Sequence, residues 1–189
     1  IIVSDPKGNV IRIISKPDSP VYDNETFNPV KVAADKAGNI YAVISGVTGG
    51  AAFFDREGEF KGFFGANRTA ETAEVIISYL RKLFATDKMR AGSSRTVPAG
   101  ITNFDIDDEG FLYTVTKSED AGADRVKKVS PGGTNLFAGK ETEFGDTSSY
   151  SVTRFVDTDI DEAGRICCLD EENGRIFQYD EKGVLLFII

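Results

Sequence analysis

The chain holds 189 residues, 41% hydrophobic and 28% charged, with 22 Lys and Arg against 30 Asp and Glu and a formal charge of −8. It has no His and two Cys, which removes imidazole-assisted nucleophiles, imidazole metal ligands, imidazole pH switches and a Cys-only zinc site. The acidic balance argues against the clustered Lys and Arg of a nucleic-acid footprint, and no apolar run approaches the roughly 18 residues that span a membrane as a helix.

Taken in chain order, Ile1-Ile2-Val3 comes first, without an initiator Met or a charged leader. The expectation is a trimmed product whose targeting segment lies upstream. Ile1 to Ile14 then reads as one hairpin around Asp5-Pro6-Lys7-Gly8. From Val32 onward a pattern recurs: an apolar alternation, Asp-x-x-Gly, then a short apolar run. It occurs at Val32 to Tyr41, Phe104 to Tyr113 and Thr158 to Cys167, with turn glycines Gly38, Gly110 and Gly164. Asp opens each turn and Gly supplies the positive φ. A second hairpin follows each, around Asp55 to Gly58, Ser130 to Gly133 and Asp180 to Gly183, so the paired turn glycines lie 20, 23 and 19 residues apart.

Two hairpins in series make a four-stranded meander of about 40 residues, the unit of a β-propeller blade. The strands after the first turns, Ile40 to Ile44, Leu112 to Val115 and Ile166 to Leu169, are nearly apolar throughout, as in sheets buried on both faces. A β-sandwich is the alternative all-β reading, but its strands lack such a period. The expected fold is therefore all-β: a β-propeller with about three and a half blades in this chain. They comprise a half blade at 1–16 and blades at 27–66, 99–138 and 154–189. Since propellers close with roughly four to eight blades, this is an incomplete ring with open sheet faces, covered by further blades or by self-association.

The repeat resembles the NHL family of propellers, most closely at Asn28-Pro29-Val30-Lys31-Val32-Ala33-Ala34-Asp35 followed by Gly38-Asn39-Ile40-Tyr41. The resemblance covers most of the chain outside two insertions and implies the propeller fold. The residues carrying it are structural.

The first insertion, 67–98, carries Val75, Ile76, Tyr79, Leu80, Leu83 and Phe84 at the spacing of one amphipathic helical stripe. The reading is an α-helical insertion that packs on the propeller's rim or docks a partner. It holds six cations, Arg68, Arg81, Lys82, Lys88, Arg90 and Arg95, against Glu71, Glu74 and Asp87, so it is +3 on a body of −11. Such a segment suits an anionic ligand, an anionic lipid or an acidic partner. The second insertion, 139–153, is polar and acidic, with Glu141, Glu143, Asp146 and Tyr150. Candidate ligand or partner contacts are Arg68, Tyr79, Arg81, Arg95 and Tyr150.

Asp157, Asp159 and Asp161 alternate along one strand, with Asp105 and Asp107 at the equivalent places one blade earlier. Carboxylates two apart share a strand face and suit a hard cation such as calcium, so Asp105, Asp107, Asp159 and Asp161 are the candidate metal ligands. The EF-hand pattern fails. The bland readings are turn aspartates that accept backbone hydrogen bonds, or a ring at the channel mouth. Cys167 and Cys168 should point to opposite faces of their strand, unbridged. No phosphate loop, nucleophile elbow or acid–base pair stands out.

The expectation is thus a non-catalytic binding or scaffold module for a protein, peptide or carbohydrate, outside the cytoplasm or on the surface of a bacterium and without a cofactor. The alternatives are a calcium-dependent propeller hydrolase or lyase, and an RNA-binding propeller, whose net charge is wrong.

Overall fold

The structure is a computed structural model that describes residues 1–19, 22, 26–65, 100–117, 124–140, 144–145 and 152–189. The described elements are all strands: β1 (Ile2–Ser4), β2 (Val10–Ile13), β3 (Pro29–Ala34), β4 (Ile40–Ile44), β5 (Ala51–Phe54), β6 (Phe60–Phe64), β7 (Asn103–Ile106), β8 (Leu112–Val115), β9 (Val126–Val129), β10 (Phe155–Ile160), β11 (Ile166–Asp170), β12 (Arg175–Tyr179) and β13 (Leu185–Ile188). The helix expected over 67–98 lies outside the described residues.

The strands form four antiparallel meanders, β1-β2, β3 to β6, β7 to β9 and β10 to β13, each joined in sequence order. The turns explain the pairing. Gly8, Gly38, Gly58, Gly110, Gly133, Gly164 and Gly183 have φ between +74° and +87°, a region that costs other residues about 1–2 kcal/mol. In each Asp turn the aspartate carbonyl accepts the glycine N–H, as from Gly38 to Asp35 (3.0 Å) and from Gly164 to Asp161 (2.9 Å).

One blade departs from the four-stranded expectation. After β9 the fourth strand shrinks to a single bridge between Val129 and Asn135. Leu136 still donates its N–H to the Lys128 carbonyl (2.7 Å), but the Asn135 side chain takes the Phe137 N–H (3.0 Å). That bond turns the chain out of register, and Phe137 drops into the core beside Phe144, with ring centroids 5.2 Å apart. Phe144 belongs to the segment read as a polar loop; there the sequence hid a core anchor.

Each sheet packs face to face on the next through a separate apolar cluster. Ile14, Ile40, Ala42 and Phe54 join the first two sheets; Tyr41, Val43, Phe104 and Leu112 join the second and third; Tyr113, Phe155, Ile166, Phe177 and Tyr179 join the third and fourth. Alternate residues of β4 and of β8 therefore serve two different joints, which is why β4 and β8 are buried along their whole length. Polar ties reinforce the joints. Arg12 donates to the Arg56 carbonyl, and the fully buried Lys127 reaches back to the Gly65 carbonyl. Lys36 pairs with Asp108 at 3.0 Å between neighbouring turns.

Candidate functional site

The first strands of successive meanders, β3, β7 and β10, are spatial neighbours and so line the axis about which the sheets are arranged. Counting back from the turn aspartates Asp35, Asp107 and Asp161 gives two equivalent layers, Lys31 with Asn103 and Asp157, then Ala33 with Asp105 and Asp159. Lys31 Nζ stands 4.0 Å from Asp157 Oδ1, across the intervening strand.

Among the described residues no further strand pairs with this inner edge, and short polar side chains take its N–H groups instead. Asn103 accepts from the Phe104 N–H (2.8 Å), Asp105 from Ile106 (2.8 Å) and Asp157 from Thr158 (3.0 Å). The other oxygen of Asp105 accepts from the Ile160 N–H of the next sheet (3.1 Å), so this carboxyl bridges two blades. Partial burial holds Asp105 above the usual carboxylate range. The two amide bonds oppose that rise, and the neighbouring Asp159 carboxylate adds to it.

The four expected metal ligands therefore separate into two pairs with different work. Asp105 and Asp159 meet at the axis. Asp107 and Asp161 are held in their turns: Asp107 Oδ1 accepts from Glu109 and Phe111, both at 2.9 Å, and Asp161 Oδ1 from Ala163 and Arg165, both at 2.9 Å. Their second oxygens are engaged as well, by the Tyr113 hydroxyl (3.0 Å) and by Arg165 Nε (2.6 Å). The bonds to Arg165, backbone first, hold Asp161 below its ordinary range. Among the described residues, no group of three or more His, Cys, Asp or Glu is placed to hold a metal ion. Arg68, Tyr79, Arg81, Arg95 and Tyr150 lie outside the described residues.

Two polar devices escaped the sequence reading. Tyr41 and Tyr113, each six residues beyond a turn aspartate, donate their hydroxyls back to Asp35 (3.3 Å) and Asp107 (3.0 Å). Burial and the carboxylate push Tyr41 up to about 12, and raise Tyr113 in the same way. The repeat spacing of Tyr and Asp was the available signal. Asp170 closes the β11–β12 turn, fully buried, accepting from the Arg154 N–H (2.9 Å), Asn173 Nδ2 (2.7 Å) and Arg175 Nη2 (3.0 Å). Burial alone would raise its pKa, but these bonds and the Arg175 charge outweigh it, and the net direction is down. The two cysteines are free and face apart. Cys168 is buried 3.8 Å from the Thr158 hydroxyl, its thiol pushed up to about 12 by burial, and Cys167 meets Gln178 at 3.3 Å.

No family model and no curated protein matches this chain. Solved structures do. The chain superposes on selenomethionine-substituted virginiamycin B lyase from Staphylococcus aureus with a TM-score of 0.54 at 10% identity, covering 86% of this chain and 41% of that one. A streptogramin B lyase gives 0.53 at 12% identity over 84% and 39%. The catalytically inactive form of the S. aureus enzyme with quinupristin gives 0.54 at 8% identity over 87% and 42%. The fold is that of part of a β-propeller. The chain spans about two-fifths of the length of these propellers, and at such identities the likeness concerns the fold alone.

Proposed function

We propose that this chain is part of an NHL-like propeller that works as a binding or scaffold module outside the cytoplasm of a bacterium. Its ligand is a protein, peptide or carbohydrate held at the axial face of β3, β7 and β10. The observation that carries this reading is the division of labour among the repeat's polar residues. The turn carboxylates Asp35, Asp107 and Asp161 are saturated by local donors. Lys31, Asp157 and Asp159, by contrast, sit on a strand edge that lines the axis, where hydrogen-bonding side chains on a rigid scaffold suit recognition of hydroxyl, amide or amine groups. The NHL resemblance supports the module reading through its structural motif.

The lyase alternative is weaker. The three solved structures compared above are named as lyases, and the inactive one carries a histidine-to-alanine change, whereas this chain contains no histidine. A carboxylate calcium site would need Asp107 and Asp161, whose oxygens hold their own turns.

Glycan and peptide arrays probed with the labelled chain test the proposal. A hit whose binding falls at least tenfold in both Lys31→Ala and Asp157→Ala, with unchanged thermal unfolding, is the expected result. Hits that survive both substitutions would move the site away from the axis. A melting temperature raised by calcium and restored by EGTA would favour the calcium-dependent alternative.

A further inference from the structure

The third and fourth sheets each place an arginine where their third strand begins, and the two arginines meet different partners. The β8–β9 ladder runs from the Leu112–Val129 pair to the Val115–Val126 pair, and one step further on the Thr116 N–H donates to the Arg125 carbonyl (2.9 Å). The β11–β12 ladder runs from Ile166–Tyr179 to Asp170–Arg175. Leu112 and Ile166 each lie five residues beyond a turn aspartate, so Thr116 and Arg125 stand where Asp170 and Arg175 stand one blade later. In that later blade Asp170 Oδ2 accepts from Arg175 Nη2 at 3.0 Å and from its Nε at 3.3 Å. Thr116 offers no carboxylate, and among the described residues no ion pair includes Arg125.

Arg125 turns instead to the joint between these two sheets. Its Nη1 donates to the Phe144 carbonyl (3.1 Å), while its Nε is buried without a hydrogen-bond partner. The next residue, Gly145, donates its N–H to the fully buried Tyr179 hydroxyl (2.8 Å). Gly145 has a φ of +91°, and a Cβ added there would meet Arg125 Nη1 and Thr153 Oγ1, each at 3.0 Å. A guanidinium, a phenol and a threonine hydroxyl thus converge around a residue that has no side chain. Burial raises the Tyr179 phenol, and the Gly145 amide and the Arg125 charge oppose that rise. Arg125 itself is partly exposed, so a solute can reach it, and at the start of a third strand it stands away from the axial edge.

We propose that Arg125 anchors a second binding site, separate from the axial face, which takes the carboxylate of a ligand. That carboxylate does for Arg125 what Asp170 does for Arg175. The planar guanidinium fork matches two carboxylate oxygens, and a charged partner is worth most to a cation that is partly desolvated. The single bond to the Phe144 carbonyl leaves most of that fork unused.

The test is thermal unfolding of the 189-residue chain in sodium acetate and in sodium chloride of equal ionic strength at neutral pH, with acetate as the probe. Subtracting the Arg125→Gln variant removes the general effect of the salt. Acetate should raise the melting temperature of the wild type over chloride by about 2–4 °C more than it does for Arg125→Gln. Thr116→Asp gives Arg125 the counterion that Arg175 already has, so it should lose the acetate-specific rise while keeping the charge; it carries the test if Arg125→Gln misfolds by circular dichroism. An equal rise in wild type and Arg125→Gln overturns the proposal, as does a wild type without a rise or a full rise in Thr116→Asp. A rise that appears only when Glu143 and Asp146 are replaced by amides overturns it too, since the chain would then neutralise Arg125 with its own acids.

Discussion

The second strands β8 and β11 carry similar apolar sequences, Leu112-Tyr113-Thr114-Val115 and Ile166-Cys167-Cys168-Leu169, and meet different surroundings. β8 is buried at every position because Leu112 serves the joint behind it while Tyr113 and Val115 serve the joint ahead. In β11 only the Ile166 and Cys168 side is covered, and Leu169 is exposed. An unbroken apolar strand therefore encodes a position between two sheets, and the local sequence does not reveal whether both sheets are there. The difference lies in the packing partner, since the hydrogen-bond ladders of the two strands have the same form.

The sharpest way to break this comparison uses adjacent residues of β12. Phe177→Ala empties the covered side and should cost about 3–5 kcal/mol in urea unfolding. Ile176→Ala, on the open side, should cost the single chain under about 1 kcal/mol. Equal losses would show that both sides of the last blade are packed.

A second comparison concerns backbone rather than packing. Gly110 and Gly164 open the corresponding turns of a covered and an end blade, with φ of +83° and +74°. An added Cβ would meet only ordinary contacts, Pro131 at 3.6 Å and Glu181 at 4.0 Å. Alanine at either site should cost about 1–2 kcal/mol, measured by the same titration. A much larger loss at Gly110 alone would extend the effect of coverage to the turns.

The smallest effect is electrostatic and belongs to the axial edge. Asp105 is raised from 3.8 on folding, so the folded state binds its proton more tightly than the unfolded chain does. Its stabilising contribution is full below 3.8 and is lost as pH rises through the higher folded value. Asp161 and Asp170, both lowered, act in the opposite sense: their contribution is present above 3.8 and lost as pH falls through their folded values. Replacing Asp159 by Asn removes the like charge beside Asp105, so melting temperature should rise at neutral pH, and the stability that the wild type regains as Asp105 takes up its proton on acidification should shrink. An identical pH profile in wild type and variant would remove Asp159 from this linkage.

Local features were legible in the sequence. The Asp-x-x-Gly turns, the meander period and the opposed cysteines all follow from a few consecutive residues, because positive φ and strand alternation are short-range properties. What stayed hidden depends on distant partners. Asn135 ends a strand by capturing the Phe137 N–H, and Asp170 earns its burial from Arg154, Asn173 and Arg175. At the axis, Asp105 and Asp159 look like repeat equivalents of one another, yet Asp105 alone accepts the Ile160 N–H of the next sheet. Turn register placed the carboxylates correctly but did not say which of them the turns themselves would use.

The bond from the buried Lys127 to the Gly65 carbonyl joins groups 62 residues apart, which gives the molecule a clock during synthesis. At roughly 5–20 residues per second, a ribosome needs about 3–12 s between making one partner and the other. The forward face of the blade ending at Gly65 stays wet until Ile101, Phe104 and Leu112 of the next blade reach it, and the Lys127 bond forms only after the whole interval. A growing chain thus presents this surface in passing, and a pause before β7 prolongs the exposure of the β4 face that Phe104 and Leu112 later cover.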